Sequence, residues 1–204
     1  RGFRPVGWSG ASDGYTGRTA HLAEQRLRAD IAVMEARDYP SDDYSERLHA
    51  YVSEHARGRN VWLVSVSMGG SAAIRYAAAH SDDVAGMVLI APAMGGPFFA
   101  KDIENIGGPG SIPADEANRD LQAARWLAYR DRGAGTPTEL HLAYGDRDAL
   151  APLSEALAPD LRRSGAEVLV GSGGHNWGVW YDLWRGLVDS GFLQRSCGAS
   201  RSRD

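Results

Sequence analysis

Short apolar runs of strand length alternate along the chain with longer segments whose apolar residues recur every three or four positions. That alternation is the signature of βαβ units built on a parallel sheet. Strand character is read at 3–6, 31–35, 61–66, 84–91, 139–144 and 167–170. Helical periodicity is read at 19–29, 43–56, 69–79, 114–130, 152–163 and 176–189. In the second of these helices Tyr44, Leu48, Tyr51, Val52 and His55 share one stripe. Pro159 is expected to kink or break the fifth, because it removes an amide donor and its ring crowds the preceding turn. The architecture expected is a three-layer α/β sandwich, a mostly parallel sheet of about six strands with helices on both faces.

One stretch interrupts the alternation. Residues 94–113 are rich in Gly and Pro and show no clear period, so they are read as an irregular, cap-like excursion above the sheet. A chain of 204 residues with 43% hydrophobic content is long enough for one full core and short for two, which makes 1–194 a single domain. Residues 195–204, a polar Ser/Arg/Gly tail, are read as disordered. The net charge of −4 and the lack of a basic stripe argue against a nucleic-acid partner. No apolar run approaches the roughly 20 residues of a membrane span. The single cysteine, Cys197, cannot form an internal disulfide, and no Cys/His spacing suggests zinc, so no metal or cofactor is expected. No secretory leader is visible, which favours a cytoplasmic location, but the chain begins at Arg1 and the compartment stays open, as does the oligomeric state.

Candidate chemistry starts at 61–70, Val-Trp-Leu-Val-Ser-Val-Ser-Met-Gly-Gly, where an apolar strand turns into a small-residue helix. A serine at such a turn, held at positive φ, stands clear of the sheet provided that its neighbours two residues away are small. Ser65 and Gly69 meet that need, although Ser65 replaces the more usual first glycine; the plain alternative is a close-packed Gly-Gly turn with an incidental serine. A hydroxyl becomes a useful nucleophile only beside a base that a third group orients. Leu-Ala-Tyr-Gly-Asp-Arg-Asp (142–148) ends one predicted strand with two carboxylates, and Gly-Ser-Gly-Gly-His-Asn-Trp (171–177) ends the next with His175. In a parallel sheet the strand C-termini share one edge, so Ser67, an acid and His175 are expected to converge there. The plain alternative for His175 is a solvated loop histidine, and for Asp146 a turn carboxylate that accepts backbone N–H bonds. His21, His49, His55, His80 and His141 fall inside or at the ends of predicted elements and are read as structural.

With this Ser, Asp, His order the chain resembles the α/β-hydrolase superfamily over nearly its whole length. Ser-Met-Gly-Gly (67–70) and Gly-Gly-His-Asn-Trp-Gly-Val-Trp (173–180) are most similar to the esterase group that includes S-formylglutathione hydrolases, enterochelin esterases and mycolyltransferases. The resemblance implies an α/β-hydrolase sandwich with Ser67 as nucleophile, Asp148 of a Gly-x-x-Asp pattern as acid and His175 as base, Asp146 remaining the alternative acid. The first strand would match the family's third, the usual first two being missing or upstream of Arg1. It also implies a cofactor-free enzyme that cleaves a small-molecule ester through an acyl-enzyme. An acyltransferase or thioesterase would use the same triad, and a binding protein the same scaffold.

Two amides are expected to bind the oxyanion: Met68 N–H, at a helix start, and Trp8 or Ser9 N–H in Val-Gly-Trp-Ser-Gly (6–10), where the family often carries His-Gly-x-Gly and this chain lacks the histidine. Phe98, Phe99 and Trp177 are the candidate pocket residues, whereas Trp180 and Trp184 recur at helical spacing and are assigned to packing.

Overall fold

The computed structural model describes residues 42–56, 61–95, 98–130 and 138–198. The predicted strands 3–6 and 31–35, the predicted helix 19–29 and Trp8 lie outside the described residues. Within them the order is α1 (Asp42–His55), β1 (Val61–Val66), α2 (Gly69–Ala79), β2 (Val84–Ile90), α3 (Phe99–Ile106), α4 (Arg119–Tyr129), β3 (Glu139–Gly145), α5 (Ala151–Arg163), β4 (Glu167–Gly171), α6 (Trp177–Asp189) and α7 (Phe192–Gly198).

The four described strands form one parallel sheet in the order β1-β2-β3-β4. Val66 lies opposite Ile90, Ile90 opposite Ala143 and Gly145 opposite Gly171. The residues that follow each strand therefore gather along one edge. Strand alternation splits the core into two faces. Met87, Leu89, Leu140, Leu142 and Tyr144 pack with α1 to α5, while Val88, Ile90 and Ala143 pack with Trp180, Leu183, Trp184, Leu187 and Phe192 of α6 and α7. These are the three layers expected. Among the described residues no helix is long and apolar enough to cross a membrane.

Four sequence expectations change. The 94–113 stretch is not irregular throughout: α3 occupies its middle, with Phe99 and Ile103 one turn apart and both buried. The density of Gly and Pro hid this helix because those residues sit at its end, where left-handed Gly107 (φ 92) and the bonds Gly107 N–H to Glu104 O and Gly108 N–H to Ile103 O (both 2.9 Å) close a Schellman cap. The fourth helix starts at Arg119 rather than 114, because the Asn118 side chain accepts from Asp120 and Leu121 N–H and fixes the start there. Of the kink or break expected at Pro159, the break does not occur: α5 runs through it to Arg163, and Pro159 lies on the exposed face, where water can satisfy the carbonyl deprived of its partner. The tail assigned to disorder from 195 is helical to Gly198, anchored by Phe192 and Leu193 in the second face of the core.

Burial also sets one titration. Tyr76, 1% exposed, places its hydroxyl 3.5 Å from Asp83 Oδ2, and burial first, then the Asp83 charge, push its pKa up to about 12. The folded chain thus keeps a phenolic proton that the unfolded chain, at its ordinary value of 10.0, gives up. Stability from this group is complete below pH 10 and is lost as pH rises towards 12. Urea midpoints are expected to fall across that window, and to fall less steeply in Tyr76→Phe; parallel curves for the two proteins would contradict the assignment. Burial raises Tyr44 and Tyr144 as well, so the variant retains part of the slope.

Candidate active site

β1 hands over to α2 through Ser67, whose φ of 53° is left-handed. A non-glycine residue pays roughly 1–2 kcal/mol for that conformation, so the surroundings must hold it. They do so through the backbone: Ser67 N–H donates to Ile90 O (3.0 Å), and Ser67 O accepts from Gly70 and Ala93 N–H (2.9 Å each). The neighbouring strand end is also bent, with Ala91 at φ 46° donating to Ala143 O at 2.7 Å. Ser65 fits in place of the usual glycine because its buried hydroxyl has an acceptor, Val88 O, at 3.4 Å.

The steric need for a small residue is sharper at Gly70 than at Gly69. A Cβ on Gly69 would meet Ser65 Cβ at an ordinary 3.7 Å, but one on Gly70 would stand 2.6 Å from Pro92 Cβ and 3.0 Å from Pro92 Cα. Gly70→Ala is therefore expected to cost about 1–3 kcal/mol by overpacking, and Gly69→Ala much less. Urea unfolding of the two variants checks this, and equal midpoints would contradict it.

At the same edge Ser67 Oγ lies 2.8 Å from His175 Nε2, and His175 Nδ1 lies 2.8 and 2.9 Å from the two carboxylate oxygens of Asp148. The Asp148 side chain is fully buried and that of His175 is 29% exposed. A buried carboxylate needs donors, and among the described residues Asp148 has two: His175 Nδ1–H and Leu150 N–H, which reaches Oδ1 at 2.7 Å. With its proton committed to Asp148 on Nδ1, a neutral His175 turns the lone pair of Nε2 towards the Ser67 hydroxyl. This tautomer follows from the hydrogen-bond network.

Asp146 serves differently. Its Oδ1 accepts from Gly173 N–H at 2.8 Å, while Asp146 N–H donates to Gly171 O and Arg147 N–H to Gly173 O. These bonds stitch the turn after β3 to the loop that carries His175. Of the two carboxylates open in the sequence, the one in contact with the imidazole is Asp148, and Asp146 is the backbone acceptor. Close approach is needed here too, since a Cβ on Gly145 would collide with Gly173 O.

The expected pocket residues separate. Phe98 is 73% exposed and Trp177 46%, but Phe99 is buried among the core residues beneath Gly95, so it packs α3 rather than presenting a ring at the surface. Met68, at the N-cap of α2, is exposed beside Ser67, and its N–H has no hydrogen-bond partner among the described residues. Sequence reasoning missed Trp180 as a neighbour of the site: its ring stands edge-on to His175 at 4.6 Å and edge-on to Trp177 at 5.0 Å. The signal was its place one turn into the helix that begins just after His175.

Comparison with known proteins adds to this geometry. The sequence model of the serine aminopeptidase S33 family, Hydrolase_4, matches residues 15–106, which contain Ser67 but neither Asp148 nor His175. No curated protein matches significantly. FphF, the fluorophosphonate-binding serine hydrolase F of Staphylococcus aureus, superposes with a TM-score of 0.57 at 17% identity, over 93% of this chain and 85% of its own. A predicted CIB-like hydrolase from Thermoplasma acidophilum gives 0.54 at 18%, over 93% and 83%. The chain has the α/β-hydrolase fold. S-formylglutathione hydrolase of Staphylococcus aureus matches with a TM-score of 0.50 at 20% identity, over 72% of this chain and 59% of its own. This α/β-hydrolase-fold chain also spans only 61% of the length of a ferulic acid esterase that it matches. Ser67 occupies the strand-to-helix elbow after β1, and Asp148 and His175 follow β3 and β4 along the same sheet edge.

Proposed function

We propose that the chain is a serine hydrolase that cleaves a small carboxylic ester through an acyl-enzyme. The observation that carries this reading is the continuous line from the Ser67 hydroxyl, 2.8 Å from His175 Nε2, to the buried Asp148 carboxylate on the other ring nitrogen. As Ser67 Oγ attacks the carbonyl carbon, its proton passes to Nε2, and Asp148 stabilises the imidazolium formed. Collapse of the tetrahedral intermediate expels the alcohol, which takes that proton. Water then enters by the same route, giving its proton to His175 and releasing the acid and the free serine.

The oxyanion would be held by Met68 N–H, an amide at a helix start where the dipole favours negative charge, with a second donor among residues 6–10, Trp8 in the first instance. Met68, Trp177 and Phe98 offer exposed apolar surface for the acyl or alcohol group. Binding without turnover would not call for a strained serine aimed at an oriented base.

The test is a panel of p-nitrophenyl esters of graded acyl length, with a matched thioester, assayed with and without an added alcohol. Faster turnover of esters than of the thioester, with free acid as the main product, is expected. Transfer to the added alcohol as the main outcome would make the chain an acyltransferase, and no turnover of any member would overturn the reading.

A further inference from the structure

On the opposite edge of the sheet, away from Ser67, three groups with metal-binding atoms meet where α1 crosses the end of α2. His49 lies on α1, His80 caps the C-terminus of α2, and Asp83 ends the turn that leads into β2. One nitrogen from each histidine and one carboxylate oxygen all lie within 4.8 Å of one another. The His49 and His80 rings stack, centroids 4.1 Å apart and 14° from parallel, and His49 Nδ1 is 3.7 Å from Asp83 Oδ2. We propose that His49, His80 and Asp83 form a binding site for a divalent transition-metal ion of the zinc class, which would staple α1 to the α2–β2 junction.

Four features support it. The donor set, two imidazoles and one carboxylate, is one that zinc-class ions accept, with the remaining position open to water. Bonds of about 2.1 Å at tetrahedral angles put donor atoms roughly 3.4 Å apart, so donors now within 4.8 Å of one another must close by up to about 1.4 Å, and the stacked rings must turn so that their in-plane lone pairs converge on the ion. His49 already has an outer partner: Ser53 Oγ lies 3.4 Å from Nε2, and a proton held there leaves the Nδ1 lone pair facing Asp83. The cluster is also open to solvent, since the His49 and Asp83 side chains are 45% and 41% exposed, which gives an ion a way in. Beneath it the Tyr76 hydroxyl approaches both His49 Nδ1 and Asp83 Oδ2 at 3.5 Å and holds the two to one side.

The sequence hides this site because His49 and His80 belong to separate helices and follow no spacing pattern. It is independent of the proposed ester chemistry, so each can fail alone.

The experiment is calorimetric titration of the tag-free full chain with zinc chloride, alongside His80→Ala, Asp83→Asn and the double variant His49→Ala/His80→Ala. One saturable site per chain is expected, weakened at least about tenfold by each single change and lost in the double variant. The thermal midpoint of the wild type should rise with zinc and that of the double variant should not. Each variant's melt without zinc establishes that it is folded. Failure of the wild type to bind zinc, or equal binding by the double variant, would overturn the proposal.

Discussion

Replacing Ser67 with alanine is expected to lower kcat for an ester substrate by roughly 10⁶-fold, because it removes the hydroxyl that lies 2.8 Å from His175 Nε2. His175→Ala should do equal damage, and the double variant no more than either alone, since nucleophile and base act as one unit. Folding supplies the control. The Ser67 backbone bonds to Ile90, Gly70 and Ala93 do not involve the hydroxyl, so the variant's urea midpoint should hold or rise slightly. Steady-state kinetics with the p-nitrophenyl panel measure both effects. Additive losses would mean that Ser67 and His175 work separately, contrary to the proposed relay.

Asp148→Asn should cost roughly 10⁴-fold in kcat with little change in KM. The carboxamide is nearly the same size and can keep its oxygen on Leu150 N–H, the bond that Asp148 Oδ1 now accepts at 2.7 Å. What remains for His175 is an N–H donor, so the imidazole must accept there and carry its proton on Nε2, pointing at Ser67. The ring stays in place in the wrong tautomer. A base that starts protonated on the face it must use cannot take the serine proton. Asp146→Asn makes the contrast, since its role is to accept from Gly173 N–H and an amide oxygen can still do that. Equal losses at 146 and 148 would contradict the division of labour between the two carboxylates.

How far these roles were legible in the sequence depended on whether local chemistry fixed them. The strands at 61–66, 84–90, 139–145 and 167–171 were legible because each is an apolar run bounded by polar or glycine turns, and a parallel sheet then forces their ends to one edge. Ser67 was legible because strand, serine and Gly-Gly adjoin in the chain. Asp148 over Asp146 was favoured only by the Gly-x-x-Asp resemblance: two carboxylates two residues apart differ in which way the turn throws each one, and that depends on bonds to a loop after another strand. Gly70 was obscured by Gly69, because the clash that matters comes from Pro92 across the turn. The α3 helix was lost under the glycines that terminate it, and Phe99 went with it, since a ring on a helix facing the core cannot be told by composition from one on an open loop. The His49, His80 and Asp83 cluster exists only after α1 and α2 pack.

The most direct test of the account is whether Ser67 is an activated nucleophile. Treatment of the full chain with a fluorophosphonate, followed by intact-mass measurement and peptide mapping, is predicted to add one phosphonyl group per chain, on Ser67, at a rate that collapses in His175→Ala. An unchanged mass, or a label on any other residue, would contradict it.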